Sequence, residues 1–179
     1  QGVGRGLEDL NYEYNIRGWL TAINKAFVNN PGATNTNWFG QTLSYDKGFT
    51  ESQFNGNISG IQWRSRGDMK ERAYGFSYDK ANRLMKADFT QYHGIWDVSE
   101  GVDFSMRMGD GERPWKAYDP NGNILEMMQH GLKINVSTKI DYLRYNYYPN
   151  SNQLQNVIDF EDDVHTTLGD FRTSEYHPQ

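Results

Sequence analysis

The chain has 179 residues, of which 36% are hydrophobic and 15% aromatic, so any core it forms must lean on its 12 Tyr, 9 Phe and 5 Trp. A net charge of −5 without a concentrated basic face argues against nucleic-acid binding, and the absence of cysteine excludes disulfides and thiolate metal sites. No apolar run approaches the roughly 20 residues of a spanning helix, and no signal peptide is visible.

Tyr and Trp suit a pleated, half-buried surface, with an apolar body inside and a polar tip near water. Gly and Asn, both abundant, suit turns that need positive φ. Together they predict an all-β protein: a single domain over residues 1–179, an antiparallel meander of β-hairpins in a twisted, curved or partly open sheet. In chain order, Leu10, Tyr12 and Tyr14 share one strand face, and a turn through Gly18 leads to Leu20 and Ile23. Lys25–Trp38 is polar and expected to be loop, and no segment shows a convincing helical period. Asn55-Gly56, between Phe54 and Ile58, has the sequence of a two-residue hairpin turn of the primed type. Tyr74, Phe76 and Tyr78 form the next alternating strand, followed by a turn through Asn82 to Leu84 and Ala87. Gln91–Gly101 is expected to be loop, and Val102, Phe104, Met106 and Met108 then form the longest period-two run. Tyr118, Gly122, Ile124 and Met127 repeat the earlier pattern. Ile134–Ile140 is ambiguous between helix and strand; Asp159–Asp170 is expected to be loop.

Aligning Tyr14, Tyr78, Tyr118 and Tyr148 exposes an internal repeat. Four residues after each stands Gly18, Asn82, Gly122 or Asn152, and six residues after each an aliphatic: Leu20, Leu84, Ile124 or Leu154. Gly and Asn enter the left-handed region at least cost, and a five-residue connection commonly combines a type I turn with one left-handed residue. Asn15, Asp79 and Asp119 open three of these loops, where a short polar side chain can cap the turn. The fourth unit has an alternative alignment on Tyr145-Asn146-Tyr147, with a loop one residue longer.

These residues resemble the RHS or YD repeats, whose signature is a Tyr-Asp pair followed by Gly-Arg-Leu or variants with Asn. The matches are Tyr14-Asn15 with Gly18-Trp19-Leu20, Tyr78-Asp79 with Asn82-Arg83-Leu84, and Tyr118-Asp119 with Gly122-Asn123-Ile124. Leu10–Asn24 and Phe54–Trp63 resemble short-repeat versions, and the pattern extends over residues 5–158. The resemblance implies a β-hairpin meander in a bacterial cell-surface or secreted protein, with neighbouring repeats as its partners. Long members of the family close into a shell around a toxic C-terminal polypeptide; others act in carbohydrate or cell contact. This chain has too few repeats to enclose another protein by itself and lacks the Asp-Pro and Gly-Trp core motif of self-cutting members, since Asp119-Pro120 belongs to a repeat.

Candidate chemistry is sparse. Asp119, Asn121 and Asn123 have the spacing that opens a calcium loop, but Ile124 and His130 occupy the places of its Gly and Glu, so a hairpin turn is expected. Glu161, Asp162, Asp163 and His165 are expected to form a solvated loop rather than a cation site. No nucleophile elbow, phosphate loop or dinucleotide fingerprint appears, so the expectation is a non-enzyme without a cofactor. A sugar site is the better rival, because an exposed aromatic face beside amides or carboxylates can stack on a pyranose. The candidates are Trp38 with Asn35 and Asn37, and Trp96 with Tyr92 and Asp97. A short meander also leaves two strand edges at which copies could self-associate.

Overall fold

The computed structural model describes residues 8–30, 32, 35–49, 51–98 and 101–161. In chain order the elements are β1 (Tyr12–Tyr14), β2 (Leu20–Ile23), α1 (Lys25–Asn29), β3 (Phe39–Ser44), β4 (Gly60–Ser65) and β5 (Glu71–Tyr78). They continue as β6 (Leu84–Tyr92), β7 (Trp96–Asp97), β8 (Met106–Met108), α2 (Pro114–Ala117), β9 (Glu126–Lys133), β10 (Val136–Tyr147) and β11 (Leu154–Asp159). The strands hydrogen-bond in the order of the sequence, β1-β2-β3-β4-β5-β6-β8-β9-β10-β11, with β7 as a side pairing on β6. The protein is thus the expected all-β antiparallel meander. Its contacts divide it into two compact units: Gln1–Phe76 with Thr90–Asp97, and Ser77–Phe89 with Val98–Gln179.

In the first unit, α1 stands where a loop was expected. Five residues are too few to show a period, and so short a helix draws its stability from tertiary packing. Phe27 and Val28 are fully buried, and a Cβ on Gly40 of β3 would lie 2.9 Å from Val28 Cγ2. Asn24 fixes the entry to the helix. It is buried and left-handed (φ 49°); its amide nitrogen donates to Phe39 O (2.8 Å) and Glu8 Oε1 (2.9 Å), and its Oδ1 accepts from Asn11 N (2.9 Å). Further along, Trp63 of β4 stacks on Tyr74 of β5 at 5.4 Å, and Tyr74 on Phe76 at 6.1 Å. Phe49 lies over the cross-strand pair Gly60 and Gly75, where a Cβ on Gly60 would come within 2.5 Å of the ring.

The stretch Gln91–Gly101, expected to be loop, contains a short hairpin. Tyr92 of β6 pairs with Trp96 of β7, and their rings lie 5.3 Å apart. Asn55-Gly56 is not a two-residue hairpin turn. It lies inside the long connection between β3 and β4, where Gly56 (φ 102°) rests against the Trp19 ring.

In the second unit, Met85, Met108 and Ala117 form a core flanked by Met106, Tyr118, Ile124 and Met127. Phe89 meets Phe104 edge to face at 5.2 Å. Of the run from Val102 to Met108, only Met106–Met108 forms a strand. Over the rest, side-chain hydrogen bonds add to the backbone bond from His130 N to Ser105 O (2.9 Å): Phe89 N donates to Ser105 Oγ (3.0 Å) and Asp103 N to Ser137 Oγ (2.9 Å). The ambiguous Ile134–Ile140 resolves as a turn and a strand. Lys133 pairs with Val136, leaving Ile134-Asn135 as a two-residue loop, and Ile134 is left-handed (φ 60°). A β-branched residue at that position carries no turn signal in sequence.

Candidate functional site

The structural feature that recurs is the turn. In the first, Asn15 N donates to Trp19 O (2.9 Å) and Gly18 N to Asn15 O (2.9 Å), with Gly18 left-handed at φ 76°. Asp79 N to Arg83 O (2.9 Å) and Asn82 N to Asp79 O (3.0 Å) repeat this around Asn82 (φ 61°). Asp119 N to Asn123 O and Gly122 N to Asp119 O, both 3.0 Å, repeat it around Gly122 (φ 90°). Each is a type I turn closed by a left-handed residue.

The capping side chain is also copied. Asn15 Oδ1 accepts from Arg17 N and Trp19 N, Asp79 Oδ1 from Ala81 N and Arg83 N, and Asp119 Oδ1 from Asn121 N and Asn123 N, all at 2.8–3.0 Å. In two turns the residue after the bend reaches back: Arg83 Nε to Asp79 Oδ2 (2.8 Å) and Asn123 Nδ2 to Asp119 Oδ2 (2.7 Å). Burial works against ionisation of Asp79, but the backbone N–H and guanidinium of Arg83 with the N–H of Ala81 outweigh it and hold the carboxyl below its ordinary range. The Asp119 carboxyl is lowered in the same way against its desolvation, by the Asn123 side chain and the turn's N–H groups.

The fourth turn corrects the alignment. Tyr147, not Tyr148, pairs with Leu154, as Tyr14 pairs with Leu20 and Tyr118 with Ile124. The loop is one residue longer, and Asn150 (φ 56°) rather than Asn152 is its left-handed residue. Ser151 N donates to Tyr148 O (3.1 Å), so Pro149 and Asn150 fill the two central places that a type II turn gives to Pro and to a positive-φ residue. Asn152 instead ties the fourth turn to the third, its Oδ1 accepting from Asn121 Nδ2 (3.0 Å) and Asn123 Nδ2 (2.9 Å).

A second recurrence ties three tyrosines to the anchors of earlier turns. The hydroxyl of Tyr118 donates to Leu84 O (2.6 Å), that of Tyr147 to Ile124 O (2.9 Å) and that of Tyr45 to Leu20 O (2.8 Å). The acceptors are the aliphatic anchors of the preceding turns. Burial raises the pKa of all three phenols. Tyr45 therefore makes the hydroxyl contact of the repeat tyrosines although the spacing does not include it. The connection that follows it runs on to residue 59 before β4 begins.

The candidate sugar residues are placed differently from one another. Trp38 is 60% exposed, but its neighbours serve the fold: Asn35 Oδ1 accepts from Asn37 N (3.0 Å) and Asn37 Nδ2 donates to Asp9 O (3.0 Å). Arg66 crosses this segment, donating through Nε to Asn37 O (2.8 Å) and through its terminal nitrogen to Asn35 O, with its guanidinium 6.0 Å from the Trp38 ring. Trp96 is 40% exposed and Tyr92 45%. Trp96 borders a groove of about 430 Å³ with Phe49, Ser44, Gln62 and Thr90, while Asp97 faces His93 at 3.5 Å. Among the described residues no group of three or more His, Asp or Glu could hold a metal ion, and no helix is long and apolar enough to cross a membrane. Of the acidic cluster only Glu161 lies within the described residues, where it pairs with Lys139 (2.7 Å).

No protein-family model matches the chain, and no curated protein is similar to it.

Proposed function

We propose that this chain is a non-enzymatic structural module of YD/RHS-type hairpin repeats, serving as a scaffold or shell segment of a bacterial cell-surface or secreted protein. The observation that carries the reading is the copied turn: Asn15 with Gly18, Asp79 with Asn82 and Asp119 with Gly122 share one hydrogen-bond pattern. A protein that spends its polar side chains on closing turns and linking successive hairpins is organised for extension of a sheet rather than for turnover. Replacing residues 79–83 by the sequence of residues 119–123 tests the equivalence. The exchange should preserve cooperative unfolding and the dispersed amide spectrum; a collapsed spectrum would refute it. Surface placement is tested by protease shaving of intact bacteria, which should release fragments of this chain. Fragments seen only after lysis would overturn that part of the reading.

A second reading is favoured by the Trp96 groove, which joins aromatic walls to hydroxyl and amide groups. Sugar sites combine such features. Trp96→Ala should abolish any glycan-array signal, whereas Trp38→Ala should leave it, because Asn35 and Asn37 are held in the fold.

A further inference from the structure

We infer that two copies of this chain associate head to tail, with β1 of one copy adding antiparallel to β11 of the next. This inference rests on the repeat reading above and deepens it. Each anchor from Leu20 to Ile124 that follows a turn has its carbonyl met by a tyrosine hydroxyl from further along the chain. Leu154 is the equivalent anchor of the last turn, and Tyr14 the equivalent tyrosine of the first. Leu154 is 46% exposed and Tyr14 61%. One end of the meander thus presents the acceptor and the other the donor of the same recurring contact.

The register follows from the internal template. In β2·β3, Ile23 lies three residues past the anchor Leu20 and pairs with Gln41, four residues before Tyr45. Transferred to the edges that carry no further strand among the described residues, Val157, three past Leu154, pairs with Leu10, four before Tyr14. The backbone supports this pairing independently. Hydrogen bonds alternate sides along an antiparallel strand. Asn24 N donates to Asn11 O, so Leu10 and Tyr12 turn their peptide groups away from β2. Phe160 N donates to Tyr142 O, so Val157 and Asp159 turn theirs away from β10. The tyrosine register therefore matches backbone groups that face away from the neighbouring strand at both edges, which is how strand addition gains affinity. The contact is heterologous: the surface one copy offers differs from the surface it meets on the next. It also places Glu8 opposite Asp159. Like charges face to face weaken a strand pair, so association should strengthen with salt, as screening predicts.

The absence of cysteine makes the test clean. Leu10→Cys and Val157→Cys are made in separate chains, mixed and oxidised; facing residues of an antiparallel pair lie about 5.5 Å apart, within disulfide range. The expected result is a heterodimeric crosslink in several-fold excess over either homodimer, increasing with salt. Homodimers in excess, or no crosslink although sedimentation shows larger species, would overturn the head-to-tail register. A monomer at every concentration and salt would overturn the association. Because each Cys variant is first checked by the amide spectrum that tests turn equivalence, failure of the docking is distinguishable from failure of the repeat reading. Tyr14→Phe supplies a second readout: it should weaken association several-fold while leaving the monomer's unfolding midpoint unchanged.

Discussion

The hydroxyl of Tyr118 donates to the carbonyl of Leu84 at 2.6 Å across 34 residues of sequence, joining the start of one turn unit to the anchor of the unit before it. The same bond recurs from Tyr147 to Ile124 and from Tyr45 to Leu20. A tyrosine suits this place because its ring packs on the sheet while its hydroxyl reaches a backbone acceptor. The Arg83 guanidinium adds to the Tyr118 site from above, 4.5 Å from the ring centre.

Removing that hydroxyl should carry a measurable cost. Tyr118→Phe, Tyr147→Phe and Tyr45→Phe should each lower unfolding free energy by about 1 kcal/mol, the net worth of one such bond. In a spectrophotometric titration these three phenols should ionise above free tyrosine, because burial disfavours the phenolate. Phenylalanine variants that left the late-titrating fraction unchanged would contradict the assignment.

Asp79 should link stability to pH. Its carboxyl is lowered in the folded state, against its partial burial, by Arg83 and Ala81. Its contribution is therefore present above the unfolded value, about 3.9, and is lost as pH falls through the lower folded value. Asn15 already makes the two backbone bonds without a charge, so Asp79→Asn should fold and lose stability less steeply in acid. Asp68, lowered chiefly by the Arg72 side chain, and Asp110, lowered chiefly by the Arg113 backbone N–H, titrate in the same sense. The difference between variant and parent urea midpoints isolates Asp79.

Ile134 should be improvable. It is 92% exposed and left-handed in a two-residue hairpin loop, a conformation that costs an L-residue roughly 1–2 kcal/mol. Ile134→Gly removes the strain but adds unfolded-state entropy, so a net gain of about 0.5–1 kcal/mol is expected by thermal or urea unfolding. A loss of stability would contradict the assigned backbone.

Asn24 should be hard to replace. Asn24→Ala leaves Asn11 N and Phe39 O without their partner and puts a Cβ residue that lacks the amide at φ 49°. A cost of about 4 kcal/mol follows from three lost bonds, that to Glu8 Oε1 included, and the left-handed backbone. Asn24→Gly keeps the backbone and should recover part of that loss.

The turns were more legible in sequence than the elements between them. Gly18, Asn82 and Gly122 carry their conformation in their identity, since few residues accept positive φ. Asn152 misled because Asn150, two positions away, offers the same chemistry, and only the Tyr147–Leu154 pairing decides between them. Helix α1 was invisible because its formation depends on Asn24 bonding to Asn11 and Phe39, which are distant in sequence. The Trp96 groove draws on Ser44, Phe49, Gln62 and Thr90, which no local spacing brings together. Ile134 shows the converse: a residue that favours strands occupies a turn because β9 and β10 pair on both sides of it.

The most direct measurement is the backbone φ at Asn82, Asn150 and Asn152, from amide–α-proton couplings and chemical shifts in a uniformly labelled sample. Asn82 and Asn150 should give left-handed values and Asn152 an ordinary negative φ, alongside positive values at Gly18 and Gly122. Helical or mutually unlike geometry at Gly18, Asn82 and Gly122 would contradict the copied hairpin unit.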